Sequence, residues 1–197
     1  RNEYVELDSR INLCSDLKYA VESSDVIVIS ISAQALRSFM QRVVEFDISN
    51  KKFILCMKGI EIETGKRLSE VVIESGVNSD NVAVWVGPGH IQAFTQGYPN
   101  CMVIDSEDSD VKDKLVEEFS SSLIRFYYGQ DLIGNEIGAA SKNVIGIAAG
   151  MLDGYRLSSL KGALMSRGTR EISRLIKAMG GNELSAYGLC HLGDYEA

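Results

Sequence analysis

The sequence predicts an α/β protein in which a sheet of buried strands, flanked by helices, is followed by an all-helical segment. Three observations lead to this prediction. Short runs of apolar and β-branched residues alternate with helical patterns up to about residue 130, which is typical of strands joined by crossover helices. Beyond that point only helical patterns follow. Hydrophobic residues make up 45% of the chain, enough for a substantial core.

Five apolar runs mark the predicted strands. The run from Asp25 to Ile31 is a near-continuous series of β-branched residues, as expected for a strand buried on both faces. The other strands are predicted over Phe53 to Met57, Val82 to Val86, Met102 to Ile104 and Ile124 to Tyr128. Because helical patterns separate most of these runs, we expect parallel pairing through right-handed crossovers, with helices on both faces of the sheet.

The predicted helices divide the chain into two parts. Between the strands, helical patterns cover Ala33 to Phe46, Thr64 to Ser75 and Asp108 to Ser121. After the last strand they cover about Leu132 to Asp153, Ser158 to Met179 and a short stretch near Glu183 to Leu189. Because strand patterns stop where these helices begin, residues 1–131 and 132–197 are predicted to form two domains.

The composition excludes some classes of function. The net charge of −7 argues against a general binder of nucleic acids or anionic membranes, which would need an excess of Lys and Arg. The most apolar stretch, Ile133 to Met151, contains Glu136 and Lys142, which favours a buried protein helix over a membrane span. No signal peptide is visible at the start of the sequence. The scattered cysteines, with no disulfide framework expected, make the reduced cytosol the expected setting.

The cysteines and histidines indicate neither a disulfide framework nor a metal site. His90 and His191 are isolated in the sequence, which does not suggest metal ligation. The scattered cysteines lie in or beside apolar stretches and include no CxxC pair. Buried free thiols are therefore expected at Cys14, Cys56, Cys101 and Cys190.

Residues that follow strands are candidate site residues, because open α/β sheets bind ligands beyond the carboxyl ends of their strands. Lys58 and Gly59 follow the strand at Phe53, where the ammonium could hold a phosphate or a cofactor and the glycine lets a ligand approach. Gly87-Pro88-Gly89-His90 follows the next strand and offers backbone N–H groups. The alternatives are a surface lysine and a simple tight turn.

The strongest candidate is Lys142, the only cation in the glycine-rich run from Gly134 to Gly150. Each glycine costs up to about 1 kcal/mol in a helix relative to alanine, so we expect close packing against the sheet domain or a ligand. Desolvation lowers the pKa of a lysine side chain toward the working pH, which suits a proton-transfer catalyst. Asn143 could orient the substrate or the lysine. The alternative is that Lys142 extends into solvent.

Two further groups of polar residues lie in the helical part. Asp194 could approach Lys142 and hold its amine in the charged form, or it could cap a helix end in solvent. Three arginines lie at helical spacing and could either meet phosphate groups or form a solvated face near Glu171. The solvated face is favoured for Arg167, Arg170 and Arg174.

Taken together, these segments resemble the bacterial NAD(P)-dependent glycerol-3-phosphate dehydrogenases. The stretch from Asp131 to Gly154 looks like that family's catalytic helix, through Gly138-Ala139-Ala140-Ser141-Lys142-Asn143-Val144-Ile145 and Ala149-Gly150-Met151-Leu152-Asp153-Gly154. The match continues through Ala163 to Gly168 and ends at Gly188 to Asp194. Lys58-Gly59-Ile60-Glu61 resembles the family's segment after the fourth sheet strand.

The resemblance implies a partial Rossmann-type NAD(P)-binding domain over residues 1–131, and the start of an all-α substrate and catalytic domain over residues 132–197. It implies an oxidoreductase that interconverts sn-glycerol 3-phosphate and dihydroxyacetone phosphate with NAD or NADP. The reduction supplies the glycerol backbone of phospholipids. The expected partners are this small-molecule substrate and, as is common in the family, a second copy of the protein, with no nucleic acid or membrane.

The resemblance also implies roles for single residues. By matched position, Lys142 would be the general acid/base on the C2 oxygen of the substrate. Cofactor binding is implied for Lys58 and Ile91. Substrate binding is implied for Lys58, Gly87, Gly89, Lys142, Asn143 and Asp194.

The sequence departs from the family's pattern in ways that affect binding. The family's GxGxxG turn and its Asn-Arg-Arg-type phosphate segment are absent from the 197 residues, so we expect these residues alone to be inactive. Gly87-Pro88-Gly89-His90-Ile91 replaces a Gly-Pro-Ser/Thr-Phe-Ala motif, and Ile31-Ser32-Ala33 replaces Val-Pro-Ser. The rival interpretations are a related β-hydroxyacid dehydrogenase and a binding module or fragment without activity.

Overall fold

A computed structural model describes residues 7–195, except for the side chain of Ile91. Within these residues the chain forms a five-stranded sheet in the spatial order β1-β2-β3-β4-β5. The strands are β1 (Val26–Ile29), β2 (Lys52–Leu55), β3 (Val82–Val86), β4 (Asn100–Ser106) and β5 (Ile124–Tyr128). The helices are α1 (Leu17–Glu22), α2 (Leu36–Val43), α3 (Leu68–Glu74), α4 (Ile91–Thr95), α5 (Ser109–Phe119), α6 (Leu132–Gly154) and α7 (Ser158–Ala178). Short 3₁₀ turns cover Ala33–Ala35, Ser79–Asn81, Glu183–Tyr187 and Leu192–Asp194.

The α/β architecture is confirmed, but the prediction that every strand pairs in parallel is wrong at one place. β1, β2 and β3 are parallel, and so are β4 and β5, whereas β3 and β4 run antiparallel. The connection from β3 to β4 carries only α4, whose five residues span about 7.5 Å. A parallel return has to pass the whole of β3, roughly 17 Å. Gly87 and Gly97, at φ +124° and +74°, turn the chain back instead.

Helices cover both faces of the sheet, as predicted. On one face, α2 and α3 pack on the strands through Leu36, Met40, Val43, Leu68, Val71 and Val72. On the other face, α5 packs through Val111, Leu115 and Val116. The sequence patterns did not predict α1, a short helix whose N-terminus is capped by the Asp16 carboxylate, which accepts from Tyr19 N at 3.2 Å.

The four cysteines are free thiols, but they are not all buried. Cys14 is exposed, which corrects the prediction, because it precedes α1 at the surface rather than in the core. Cys56 and Cys101 are half-buried, and Cys190 is buried. Burial raises the pKa of Cys56 to about 11 and that of Cys190 to about 12. Both thiols are therefore protonated and unreactive near neutral pH.

The glycines of α6 allow close packing only in its first half. At Gly134 a Cβ would collide with Ser185, and at Gly138 it would lie 3.1 Å from the His191 Cβ. At Gly146 and Gly150 nothing lies within 4 Å of such a Cβ. Close packing is thus present at the buried turns of α6 and absent from its exposed half. At Gly134 and Gly138 the partners Ser185 and His191 belong to the segment after α7, not to the sheet domain or a ligand as expected. Among the residues described, no helix has the length and apolar character required to cross a membrane.

Glu136 ties α6 to the start of α3. Its buried carboxylate accepts hydrogen bonds from Ser69 N (2.9 Å), Ser69 Oγ (2.6 Å) and Arg67 Nη1 (2.6 Å). Burial raises the pKa of Glu136, and the bonds from Ser69 and Arg67 oppose that rise. The carboxylate satisfies an N–H group at the N-terminus of α3, which has no partner within its own helix.

Removal of this carboxylate should destabilise the fold. Glu136→Ala leaves the Ser69 N–H without its acceptor and removes the closer of the two carboxylates that pair with the largely buried Arg67 guanidinium, the other being Glu70 at 3.4 Å. We expect the free energy of unfolding to fall by about 3–5 kcal/mol, measured by urea denaturation followed by circular dichroism. The control Glu117→Ala, at an exposed position on α5, should change it by no more than about 0.5 kcal/mol. Equal effects of the two substitutions would contradict this role for Glu136.

Candidate functional site

Three of the predicted site residues meet at one buried ion cluster. Lys142 comes from the middle of α6, Lys58 from the loop after β2, and Asp194 from the 3₁₀ turn Leu192–Asp194. Lys142 Nζ lies 2.7 Å from Asp194 Oδ1, and Lys58 Nζ pairs with Asp194 Oδ2. The Asp194 side chain has no exposed surface, whereas Lys142 and Lys58 are 12% and 23% exposed. Asp194 is therefore a shared partner of both lysines rather than a solvent-exposed cap.

The end of β2 brings Lys58 into the cluster. Its ammonium also donates to the carbonyl of Gly87, at 3.0 Å, and so joins the loops that follow β2 and β3. Gly59, next in sequence, has φ +156°, and a Cβ there would lie 2.9 Å from the Ala33 Cβ. Only glycine fits this sharp turn without strain.

The cluster holds two cations and one anion. Burial lowers the pKa of Lys58, and the nearby Lys142 adds to this effect, while the Asp194 carboxylate opposes it. With both lysines charged, the formal charge of the three groups is +1. Such a cluster favours an anionic ligand at its open side.

An open cavity lies next to the cluster. Lys142 and Asp194 line it together with Asn143, Gly146, Ile147 and Tyr195. Asn143 is exposed at its edge, one residue along α6 from Lys142. A ligand in this cavity would therefore reach the lysine ammonium and the Asn143 amide at the same time.

The remaining predicted residues lie around the loop after β3. Gly87 provides the carbonyl that Lys58 contacts, and Gly89 packs on Met102, since a Cβ at Gly89 would lie 2.7 Å from the Met102 Sδ. Ile91 begins α4, and its side chain is outside those that the structure describes. Three arginines of α7 are exposed and line a cavity together with Glu171: Arg167, Arg170 and Arg174. Their exposure agrees with the predicted solvated face.

Two groups of residues near the site were not found from the sequence. His191 is fully buried, and its Nδ1 lies 3.0 Å from the carbonyl of Gly138 in α6. Asp105, at the end of β4, accepts hydrogen bonds from Asp131 N (3.0 Å) and Asn135 Nδ2 (2.7 Å), and so holds the start of α6 against the sheet. These partners are distant in the sequence, so no local pattern could reveal them.

Comparison with known proteins gives a consistent family. A family model described as the N-terminus of NAD-dependent glycerol-3-phosphate dehydrogenase matches residues 2–112, and the model of its C-terminus matches residues 131–197. A glycerol-3-phosphate dehydrogenase [NAD(P)+] from Prosthecochloris aestuarii is 37% identical over 93% of the chain and 56% of the relative. One from Clostridium botulinum (strain Eklund 17B / Type B) is 38% identical over 96% of the chain and 57% of the relative. The chain thus spans little more than half the length of these curated relatives.

Solved structures show the same likeness. The crystal structure of glycerol-3-phosphate dehydrogenase from Coxiella burnetii superimposes with a TM-score of 0.85 at 29% identity, over 92% of this chain and 55% of that one. The glycerol-3-phosphate dehydrogenase of Plasmodium falciparum gives a TM-score of 0.83 at 22% identity, over 93% of this chain and 52% of that one. At that identity the second comparison supports the fold alone.

Removal of the shared carboxylate should change the titration of Lys58. Asp194 opposes the effect of burial on this lysine, so Asp194→Asn should lower the pKa of Lys58 further. The titration can be followed by NMR of the lysine Cε and its protons. In the control Asp153→Asn, which removes a carboxylate that pairs with Lys161 far along α6 from the cluster, the pKa of Lys58 should stay as in the unmodified protein. An unchanged Lys58 titration in Asp194→Asn would show that the two groups are not paired in solution.

Proposed function

The chain belongs to the NAD-dependent glycerol-3-phosphate dehydrogenase family, and we propose that this protein interconverts sn-glycerol 3-phosphate and dihydroxyacetone phosphate with NAD or NADP. The observation that carries the proposal is the position of Lys142. It lies beside an open cavity and is held by a buried carboxylate, on the helix that follows the sheet. The alternative in which this lysine extends into solvent does not agree with its 12% exposure.

Lys142 is the proposed general acid/base on the C2 oxygen of the substrate. In the reduction its ammonium gives a proton to the ketone oxygen, and in the oxidation the neutral amine takes the proton of the C2 hydroxyl. The Asp194 carboxylate, 2.7 Å from Nζ, accepts a hydrogen bond from this ammonium. It also fixes the direction in which the ammonium points.

The other predicted residues take binding roles in this proposal. Lys58 contributes the second positive charge of the cluster, which favours a phosphorylated, anionic substrate. Asn143, at the edge of the cavity, donates or accepts a hydrogen bond to orient the substrate. Gly87 and Gly89 belong to the loop whose carbonyl at Gly87 holds Lys58, and they are assigned to the substrate side. Ile91 is assigned to the cofactor side.

The residues present fit a dinucleotide at the edge of the sheet. The carboxyl ends of the parallel strands β1, β2 and β3 lie at this edge. Lys58, next to Gly59 in the loop after β2, reaches the carbonyl of Gly87 in the loop after β3. Lys58 and Ile91 are the residues that would hold the dinucleotide. When bound, NAD(P) accepts or supplies the hydride at C2.

The wider role follows from this activity. We propose that residues 1–131 and 132–197 act as the cofactor and catalytic domains, with the cluster of Lys58, Lys142 and Asp194 joining them. We further propose that the enzyme is a cytoplasmic homodimer and that its product feeds glycerophospholipid synthesis.

The proposal predicts turnover that depends on Lys142. The assay follows the oxidation of NADH and NADPH with dihydroxyacetone phosphate, on the complete gene product that contains this chain. Lys142→Ala should reduce kcat by a factor of at least about 10²–10⁴, the usual contribution of a general acid/base. Lys177→Ala, which removes an exposed lysine of α7 that pairs with Glu183, is the matched control and should leave kcat within about twofold, as for a surface substitution.

Two results would contradict the proposal. An inert parent protein would require a different hydroxyacid substrate or a non-catalytic role, and full activity of Lys142→Ala would remove the lysine from the mechanism. The 197-residue chain is assayed alongside, and we expect no turnover from it. Measurable turnover by the chain alone would contradict that expectation.

A further inference from the structure

The fully buried imidazole of His191 adjoins the turn that carries Asp194. Its Nδ1 lies 3.0 Å from the carbonyl oxygen of Gly138, and its Nε2 contacts the hydroxyl of Tyr195. A carbonyl oxygen can only accept, so Nδ1 carries the hydrogen. In the neutral ring Nε2 is then the acceptor of the Tyr195 O–H. Burial lowers the pKa of His191, which agrees with a neutral ring.

Tyr195 extends this contact to α7. Its hydroxyl lies 3.4 Å from Thr169 Oγ1, and Thr169 Oγ1 in turn donates to the carbonyl of Met165 at 2.8 Å. The rings of His191 and Tyr195 also pack edge to face, with their centroids 4.7 Å apart. The residue before the turn Leu192–Asp194 is therefore hydrogen-bonded to α6. The residue after the turn is held by its hydrogen bond to His191 and by packing against Thr169 of α7.

The anchor on α6 lies one helical turn before Lys142. In a regular helix the carbonyl of residue 138 accepts from the N–H of residue 142, so His191 bonds to the same turn that carries the lysine. Gly138 makes this approach feasible, because a Cβ at that position would be only 3.1 Å from the Cβ of His191. His191 thus links the helical turn that carries Lys142 to the short turn that carries Asp194, and this link sets the distance between the two residues.

We propose that His191 and Tyr195 are positioning residues, which hold the Asp194 carboxylate between the ammonium groups of Lys142 and Lys58. The proposal rests on the proposed function of Lys142. Asp194 also donates its own N–H to the His191 carbonyl at 3.0 Å, and its carbonyl accepts from Lys142 Nζ at 3.3 Å. Loss of either anchor leaves the short turn free to rotate the carboxylate away from the lysines.

Three substitutions distinguish the contact of His191 with Gly138 from its contact with Tyr195. Tyr195→Phe removes only the hydroxyl that donates to His191. His191→Asn places an amide N–H near the former Nδ1 and keeps a donor for Gly138. His191→Phe keeps a ring but removes both contacts.

Two controls accompany these variants. Tyr187→Phe makes the tyrosine substitution at an exposed residue, and Val116→Ala destabilises the opposite face of the sheet.

The readout is the hydrogen exchange of the Lys142 ammonium, observed by ¹⁵N–¹H NMR on the 197-residue chain. The ion pair with Asp194 slows this exchange. In Tyr195→Phe and His191→Phe we expect it to accelerate about tenfold, the order expected when one buried hydrogen bond is lost. His191→Asn should recover part of the protection. Tyr187→Phe and Val116→Ala should leave the exchange unchanged.

Unchanged exchange in Tyr195→Phe would overturn the proposal, and so would equal acceleration in Val116→Ala, which would reduce the effect to general stability. Tyr195→Phe keeps the test decisive if His191→Phe does not fold. The measurement involves no substrate and no turnover, so its outcome is independent of whether the dehydrogenase activity is found.

Discussion

The site depends on one buried carboxylate. Asp194 has no exposed side-chain surface, and each of its oxygens is paired with a lysine ammonium from a different part of the fold. A buried charge without a partner costs several kcal/mol, so the carboxylate and the two lysines stabilise one another only as a set. The loop after β2, the middle of α6 and the turn after α7 therefore have to be placed correctly at the same time.

Buried carboxylates hold α6 in position at several points along its length. Asp105 holds its first turn through Asp131 N and Asn135, Glu136 binds the N-terminus of α3, and Asp194 meets Lys142 further along. Each contact joins the helix to a different neighbouring element, so together they set both its position along its axis and its rotation. This arrangement explains how a helix with many glycines, each of which lowers helix stability, can hold a lysine in one orientation.

Much of the fold follows from local patterns. The runs at Val82–Val86 and Ile124–Tyr128 correspond to β3 and β5 residue for residue, because apolar β-branched and aromatic runs are direct signals of buried strands. The antiparallel β4 depends on the length of one connection, which apolar periodicity does not encode. The prediction that Cys14 is buried is wrong, because apolar neighbours indicate burial only when a helix or strand carries them into the core.

The site was predictable in part. Lys58 and Lys142 were found because a strand end and a glycine-rich helix are local features, and the contact of Asp194 with Lys142 was one of two stated alternatives. The roles of these residues remain predictions. His191 and Tyr195 could not be found, since a buried histidine depends on partners such as Gly138 and Thr169, which lie far away in the sequence.

A double-mutant cycle between Lys142 and Asp194 tests the central claim most directly. The free energy of unfolding is measured by urea denaturation for the unmodified chain, Lys142→Met, Asp194→Asn and the double variant. A buried ion pair predicts a coupling energy of at least about 1 kcal/mol between the two substitutions. Effects that add to within about 0.3 kcal/mol would mean that the groups do not interact, and would contradict the account of the site.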